Sequence, residues 1–144
     1  MKAESIGKIY VALDTVSLEE AQYLARLLKG KVGGIKLGKE FFSAHGPQGV
    51  KIISKEGLPI FLDLKFHDIP NTVEAAIKAS VPLNLSMLNV HISGGLEMMR
   101  AAKRAARDAS TWSSRTTDGA ATTVFAWAIG NCNATTPRGS ETLW

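Results

Sequence analysis

The 144-residue chain is long enough for one domain with a hydrophobic core, and 45% hydrophobic with 21% charged residues is the balance of a globular protein. Its net charge of +4 comes from Lys and Arg residues scattered over predicted helix faces, which argues against a nucleic-acid-binding stripe. A single Cys excludes an intrachain disulfide, and the sequence shows neither an apolar signal region nor an apolar run of membrane-spanning length. We therefore expect a cytoplasmic protein that binds neither nucleic acid nor membranes.

The first predicted strand, residues 9–13, is short, apolar and rich in β-forming residues, and Asp14 follows at its C-terminal end. Asp14 is either a turn residue or a functional carboxylate, and the local sequence leaves both interpretations open. Ser17 with Glu20 forms a capping box, which predicts a helix with one buried stripe, and Gly30 is expected to end that helix.

The second predicted strand, residues 32–38, carries Lys36 between two apolar neighbours. A lone buried Lys is costly, so Lys36 either faces water on an edge strand or faces a barrel interior and pairs with a carboxylate. Residues 39–56 are predicted to form two helical pieces separated at Gly46 and Pro47. His45 lies at that break and is expected to be exposed or to cap a helix.

The third predicted strand, residues 60–66, is apolar yet contains Asp63 and Lys65, and Asp68 follows directly. Because side chains alternate along a strand, Asp63 and Lys65 share one face and can pair, and Asp68 can join them from the strand end. Buried charges are costly unless they are paired, so a purely structural ion pair is one explanation. Three charges at the end of a buried strand fit a functional site better.

Residues 71–74 form a second capping-box pattern, and the predicted helix N-terminus would offer free N–H groups to an anion or a sugar. Thr72 could belong only to that cap, and His67 could lie in the core. A fourth strand is predicted over residues 83–92, with His91 at its end, where a buried structural histidine is the simplest interpretation.

The four predicted strands recur at a nearly constant spacing of about 26 residues, and each is followed by a helix. This pattern predicts an α/β fold, either a β/α barrel or a doubly wound sheet, and polar residues after successive strands favour the barrel. A complete barrel of this type needs about 250 residues, so four βα units amount to about half of one.

The stretch after residue 110 differs in character. Residues 111–144 are rich in Ser and Thr, contain all three Trp residues and the single Cys, and carry few charges. Residues 124–129 could form a brief apolar element, but no further strand–helix unit is visible at the earlier spacing. We therefore predict a partial barrel over residues 1–110 and an unrelated tail over residues 111–144. A frameshift, disorder of the tail and a genuine short variant remain open explanations.

A resemblance to orotidine 5'-phosphate decarboxylases rests on residues 63–72, which read Asp-Leu-Lys-Phe-His-Asp-Ile-Pro-Asn-Thr, and extends over roughly residues 8–110. The Asp-x-Lys-x-x-Asp core is shared with other phosphate-sugar barrels, whereas the Ile-Pro-Asn-Thr extension points to this family. The resemblance implies an eight-stranded (β/α)8 TIM barrel and a homodimer that needs no metal and no organic cofactor. It also implies the conversion of orotidine 5'-monophosphate to uridine 5'-monophosphate in pyrimidine biosynthesis.

The resemblance also implies roles for individual side chains. The residues expected to form the catalytic charged array are Lys36, Asp63, Lys65 and Asp68. The residues expected to contact substrate are Asp14, Lys36, Ile69 and Thr72. Within these sets, Lys65 would deliver a proton to C6 of the pyrimidine, and Asp68 would reach into the site of the partner subunit.

Two other functions remain open from the sequence. A related lyase of the same barrel superfamily, which acts on a sugar phosphate with Mg²⁺, shares the Asp-x-Lys-x-x-Asp core. A non-catalytic fragment is the second alternative, because the later strands of the family supply the phosphate-gripping Arg and have no recognisable counterpart in this sequence.

Overall fold

Strands and helices alternate along the part of the chain that the structure, a computed structural model, describes. That part comprises residues 7–113 and 123–127, with side chains described for residues 7–107. The elements are β1 (Tyr10–Ala12), α1 (Leu18–Leu28), β2 (Gly34–Gly38), α2 (Lys39–Ser54), β3 (Ile60–Phe66), α3 (Pro70–Ser80), β4 (Met87–His91), α4 (Gly95–Ser113) and β5 (Thr123–Trp127). Two short 3₁₀ helices, Val81–Leu83 and Ile92–Gly94, precede and follow β4.

The five strands form one parallel sheet whose spatial order, β1-β2-β3-β4-β5, is the same as their order in the chain. Right-handed crossovers between sequential strands place successive helices on the same side of the sheet. A doubly wound sheet reverses its strand order and carries helices on both sides. The strand order therefore confirms the barrel-type arrangement and excludes the doubly wound alternative for these strands.

The two faces of the sheet differ in burial, because side chains alternate along each strand. The fully buried apolar side chains on β2, β3 and β4 belong to the helix-covered face and are Ile35, Leu37, Ile60, Leu62, Leu88 and Val90. On the opposite face, Lys36, Phe61 and Asp63 are half-buried. The hydrophobic core thus lies between the sheet and the helices, and the charged positions lie on the other side.

The starts of α1 and α3 differ from each other. Ser17 caps α1 as predicted, since its Oγ accepts a hydrogen bond from the Glu20 N–H at 3.2 Å. The capping box predicted over residues 71–74 is wrong, because α3 begins at Pro70 and its N-cap residue is Ile69, two residues before the predicted cap. Ile69 makes no side-chain cap bond. Proline is favoured at the first helical position, where its missing N–H costs nothing.

β3 has the predicted bounds, whereas β1, β2 and β4 are shorter than predicted. β4 begins at Met87, whereas the prediction placed its start at residue 83, because Asn84 adopts a left-handed backbone conformation with φ of 55° that breaks the extended run. Inside α2, Gly46 has non-helical angles (φ 56°, ψ −158°) and Pro47 follows it, so the predicted break is confirmed.

The sheet extends beyond the predicted limit at residue 110. α4 continues to Ser113, and β5 pairs in parallel with β4 along its whole length, from Met87 opposite Thr123 to His91 opposite Trp127. β5 overlaps the brief apolar element expected over residues 124–129. The strand spacing did not assign that element to the sheet, because β5 follows β4 at a longer interval. Residues 114–122 and 128–144 lie outside the described residues, so the frameshift and disorder hypotheses for the tail stay predictions. Among the described helices, none is long and apolar enough to cross a bilayer.

Candidate active site

A cluster of charged side chains lies at the carboxyl ends of β1, β2 and β3. Lys36 projects from β2, Asp63 and Lys65 project from β3, and Asp14 follows β1. The parallel register places Ala12 opposite Lys36 and Gly38 opposite Asp63, so the ends of these strands meet at one edge of the sheet. Of the two interpretations that the sequence left open for Lys36, the structure shows the one in which Lys36 pairs with a carboxylate.

Asp63 lies at the centre of this cluster. Its Oδ1 accepts hydrogen bonds from the Lys65 ammonium at 2.5 Å and from the Asn89 amide at 2.6 Å, and its Oδ2 lies 3.2 Å from Lys36 Nζ. Lys36 Nζ also lies 3.7 Å from Asp14 Oδ1. Acid and base therefore alternate in the order Asp14, Lys36, Asp63, Lys65.

The ion pairs in this cluster differ in strength because their side chains differ in burial. The side chain of Asp63 is 12% exposed and those of Lys36 and Lys65 are 26% and 22% exposed, whereas that of Asp14 is 66% exposed. Water screens exposed ion pairs, and long ones contribute little. The ion pairs of Asp63 with Lys36 and Lys65 are therefore the stronger ones in the cluster, and the pair of Asp14 with Lys36 is weak.

The pKa of Asp63 reflects two opposing effects. Partial burial raises the pKa, but hydrogen bonds from Lys65, Asn89 and Lys36 together outweigh burial and hold the pKa below its ordinary value of 3.8. Asp63 is therefore an ionised carboxylate at neutral pH, which suits it to hold two ammonium groups in place.

The backbone at Lys65 is unusual for a strand. Its φ is 54°, in the left-handed region that a residue with a side chain rarely adopts, and the pairing of β3 with β4 shifts register between Leu62 and Phe66. Such a conformation costs on the order of 1–3 kcal/mol and persists only where neighbouring contacts hold it. Bulges of this kind redirect side chains next to functional sites.

Asn89 is a site residue that the sequence analysis did not single out. It is 1% exposed on β4, and besides donating to Asp63 it accepts a hydrogen bond from the Lys65 N–H at 2.7 Å. The available signal was an amide between Leu88 and Val90 in the fourth predicted strand. That signal cannot be interpreted without knowing which strands are neighbours.

The remaining predicted residues, Asp68, Ile69 and Thr72, lie outside the charged cluster. All three are exposed: Asp68 and Ile69 lie between β3 and α3, and Thr72 lies in the first turn of α3. Asp68 Oδ1 accepts a hydrogen bond from the Ile69 N–H at 2.7 Å. Asp68 takes no part in the ion pairs that Asp63 makes with Lys36 and Lys65. An open cavity of about 480 Å³ is lined by His67, Asp68, Ile69, Pro70, Ser93 and Gly94.

Neither His67 nor His91 is buried, and each of the three histidines contacts another ring or a polar atom. His67 is exposed, so its predicted core position is wrong, because β3 ends at Phe66 and the chain turns to the surface. Its ring stacks on that of His91, with centroids 5.1 Å apart, and His91 Nδ1 lies 2.5 Å from Ser93 Oγ. His45 Nε2 lies 2.7 Å from the Val16 carbonyl oxygen.

In the described part of the chain, no three His, Cys, Asp or Glu side chains converge where a metal ion could bind.

Comparisons with known proteins agree with this geometry. The family described as "Orotidine 5'-phosphate decarboxylase / HUMPS family" matches residues 7–126, which extends past residue 110 and includes most of β5. The orotidine 5'-phosphate decarboxylase of Paramagnetospirillum magneticum is 52% identical over 103 residues, which cover 72% of this chain and 44% of that protein.

Solved structures resemble the fold as well. The crystal structure of orotidine 5'-phosphate decarboxylase from Lactobacillus acidophilus matches with a TM-score of 0.66 and 32% identity, over 82% of this chain and 51% of that chain. The orotidine 5'-monophosphate decarboxylase from Methanocaldococcus jannaschii complexed with inhibitor BMP matches with a TM-score of 0.65 and 26% identity, over 69% of this chain and 47% of that chain.

Fold and site together define a β/α-barrel protein with a charged cluster at its strand ends. The chain belongs to the orotidine 5'-phosphate decarboxylase / HUMPS family. It spans less than half the length of the curated relatives named first, with 44% of the Paramagnetospirillum protein and 47% of a Wolbachia protein covered.

Proposed function

We propose that this chain catalyses the reaction for which its relatives are named, the decarboxylation of orotidine 5'-monophosphate to uridine 5'-monophosphate. The observation that carries the proposal is the Asp63 carboxylate, which holds the ammonium groups of Lys36 and Lys65 at the strand ends. Relatives with 52–54% identity bear the decarboxylase name, which supports the same reaction. The family description covers a second group of proteins, but these relatives favour the decarboxylase.

The chemistry explains why a row of alternating charges is needed. Loss of CO₂ leaves a carbanion at C6 of the pyrimidine, and the Lys65 ammonium stabilises this charge and transfers a proton to C6. Asp63 keeps Lys65 in place and lies close to where the substrate carboxylate must sit, so it disfavours the ground state. Fixed charges act strongly in such a site because they need not reorganise during the reaction.

Substrate binding involves the outer members of the cluster. In this proposal Asp14 and Lys36 contact the ribose hydroxyls, and the 66% exposure of the Asp14 side chain leaves it accessible to a ligand. The structure from Methanocaldococcus jannaschii, described as complexed with inhibitor BMP, supports ligand binding by this fold.

The functional unit in this proposal is a cytoplasmic homodimer that uses neither metal nor organic cofactor. Asp68, Ile69 and Thr72 are exposed after β3, and Ile69 is 66% exposed. An exposed apolar residue beside a carboxylate suits a segment that reaches into a partner subunit. Asp68 then completes the charged array of that subunit, with Ile69 and Thr72 lining the site.

The first test compares decarboxylation of orotidine 5'-monophosphate by the purified chain with that by Lys65→Ala. We expect turnover in the parent and none in the variant, because the proton donor is missing. Lys51→Ala, which removes an exposed lysine from α2, is the matched control and should keep the activity of the parent. Equal rates in the parent and Lys65→Ala would contradict the proposal and favour a non-catalytic fragment.

A second assay separates the decarboxylase from the Mg²⁺-dependent alternative. Turnover should be unchanged when EDTA is added and when Mg²⁺ is restored, because the proposed charges come from side chains alone. Activity that disappears with EDTA and returns with Mg²⁺ would favour the sugar-phosphate lyase.

A further inference from the structure

Asn89 is the most deeply buried polar side chain among residues 7–107, and it contacts two members of the charged cluster. Its Nδ2 donates to Asp63 Oδ1 at 2.6 Å, and its Oδ1 accepts from the Lys65 N–H at 2.7 Å. An ionised carboxylate can only accept and a backbone N–H can only donate, so these two partners define which way the amide points. One side chain on β4 therefore bonds both charged residues of β3.

The two bonds occur where the regular sheet pairing fails. β3 and β4 pair at Leu62 with Leu88 and again at Phe66 with Val90, so β3 has additional residues between these points. Backbone groups released from a ladder need other partners when they are buried. The side-chain oxygen of Asn89, Oδ1, accepts the hydrogen bond of the Lys65 backbone N–H. Lys65 has a φ of 54° at this point.

We propose that Asn89 is a positioning residue of this site, whose single amide orients the Asp63 carboxylate and holds the backbone turn at Lys65. The Lys65 ammonium is thereby directed to the same Asp63 oxygen that Asn89 contacts. At 1% exposure Asn89 acts through these two residues and not on the substrate. The catalytic part of this inference rests on the proposed function, whereas the effect on Asp63 can be measured without turnover.

The surroundings of Asp63 define a measurable consequence. Lys36 faces it from β2 and Lys65 from β3, with Asp14 beyond Lys36, while β4 contributes the neutral Asn89. A hydrogen bond to the charged form of a carboxyl group lowers its pKa. Removal of the Asn89 donor should therefore raise the pKa of Asp63.

The decisive experiment is a pH titration of the Asp63 carboxyl carbon by ¹³C NMR, with its signal assigned by its absence in Asp63→Asn. Asn89→Ala and Asn89→Leu remove the amide, and the second keeps its approximate volume. Ser86→Ala is the matched control, because Ser86 Oγ donates to the Ile60 carbonyl oxygen at 2.9 Å, between the same two strands but away from the charges.

We expect the pKa of Asp63 to rise in both Asn89 variants and to match the parent in Ser86→Ala. An unchanged pKa in a folded Asn89 variant would overturn the proposal. Loss of folding in both Asn89 variants, with Ser86→Ala folded, would also overturn it and assign Asn89 a purely structural role.

Kinetics provide the second readout. In the Asn89 variants we expect kcat to fall by about a hundredfold with little change in KM, since misplacement of a catalytic group by about 1 Å has this effect. Wild-type kcat in an Asn89 variant would refute the inference while the proposed function stands. A parent without turnover would refute the proposed function, and the titration would still decide the role of Asn89.

Discussion

Asp63 connects more of the charged cluster than any other described residue, because two lysines and one amide donate to its two oxygens. Its side chain is mostly shielded from water, with 12% exposed. Removing the carboxylate would leave the Lys36 and Lys65 ammonium groups facing each other without a compensating charge. Removing one partner of a partly buried ion pair usually lowers the free energy of unfolding by more than the intact pair contributes to it.

The pH dependence of stability provides a test of this network at the residue level. The pKa of Asp63 is lower in the folded chain than its ordinary value of 3.8, so its contribution is complete above that value and is lost as the pH falls through the folded-state pKa. We expect Asp63→Asn to lower the free energy of unfolding at pH 7, and we expect this difference to shrink below about pH 4.

Urea denaturation at a series of pH values measures this effect. Asp68→Asn, which removes an exposed carboxylate outside the cluster, is the control and should follow the profile of the parent. A destabilisation by Asp63→Asn that stays constant down to pH 2 would show that the charge of Asp63 does not contribute.

At the scale of secondary structure, two similar sequence patterns have different outcomes. Ser17 caps α1 through a side-chain hydrogen bond, whereas the pattern at residues 71–74 does not cap α3, which begins at Pro70. The sequence motif alone could not separate these cases, because the start of α3 is determined by where β3 ends and where proline is accommodated. The side chains of residues 71–74 therefore do not cap α3.

This difference predicts unequal effects of two substitutions. Ser17→Ala should lower the free energy of unfolding by about 1 kcal/mol, because it removes an N-cap hydrogen bond. Asn71→Ala should change it by less than about 0.5 kcal/mol, because Asn71 is exposed and lies inside the first turn. Equilibrium urea denaturation measures both values, and a cost for Asn71→Ala as large as that for Ser17→Ala would contradict the observed start of α3.

At the scale of the whole molecule, the sheet separates a packed apolar side from a side that carries the charged cluster. The side chains under the helices are fully buried and apolar, and the side chains on the opposite face include the charged cluster. This arrangement follows from the sequential strand order, which places the helices on one side of the sheet. The hydrophobic core and the charged cluster therefore use alternate residues of the same strands.

Substitutions on the two faces should therefore differ in cost. Ile35→Ala removes a side chain with no exposure from the helix-covered face and should lower the free energy of unfolding by about 2–5 kcal/mol. Met87→Ala, at a half-buried position on the opposite face, should cost less than about 1.5 kcal/mol. Chemical denaturation compares them, and equal costs would mean that both faces are equally packed.

The sequence by itself determined the strand–helix repeat, the pairing of Asp63 with Lys65 and the family, because these depend on side-chain alternation and on short motifs. It also located the break at Gly46, where backbone freedom is needed. Tertiary structure alone decided the strand order, the pairing of β5 with β4 and the role of Asn89. The physical reason is that an apolar strand with one amide has many possible neighbours, and only the assembled sheet brings Asn89 to Asp63.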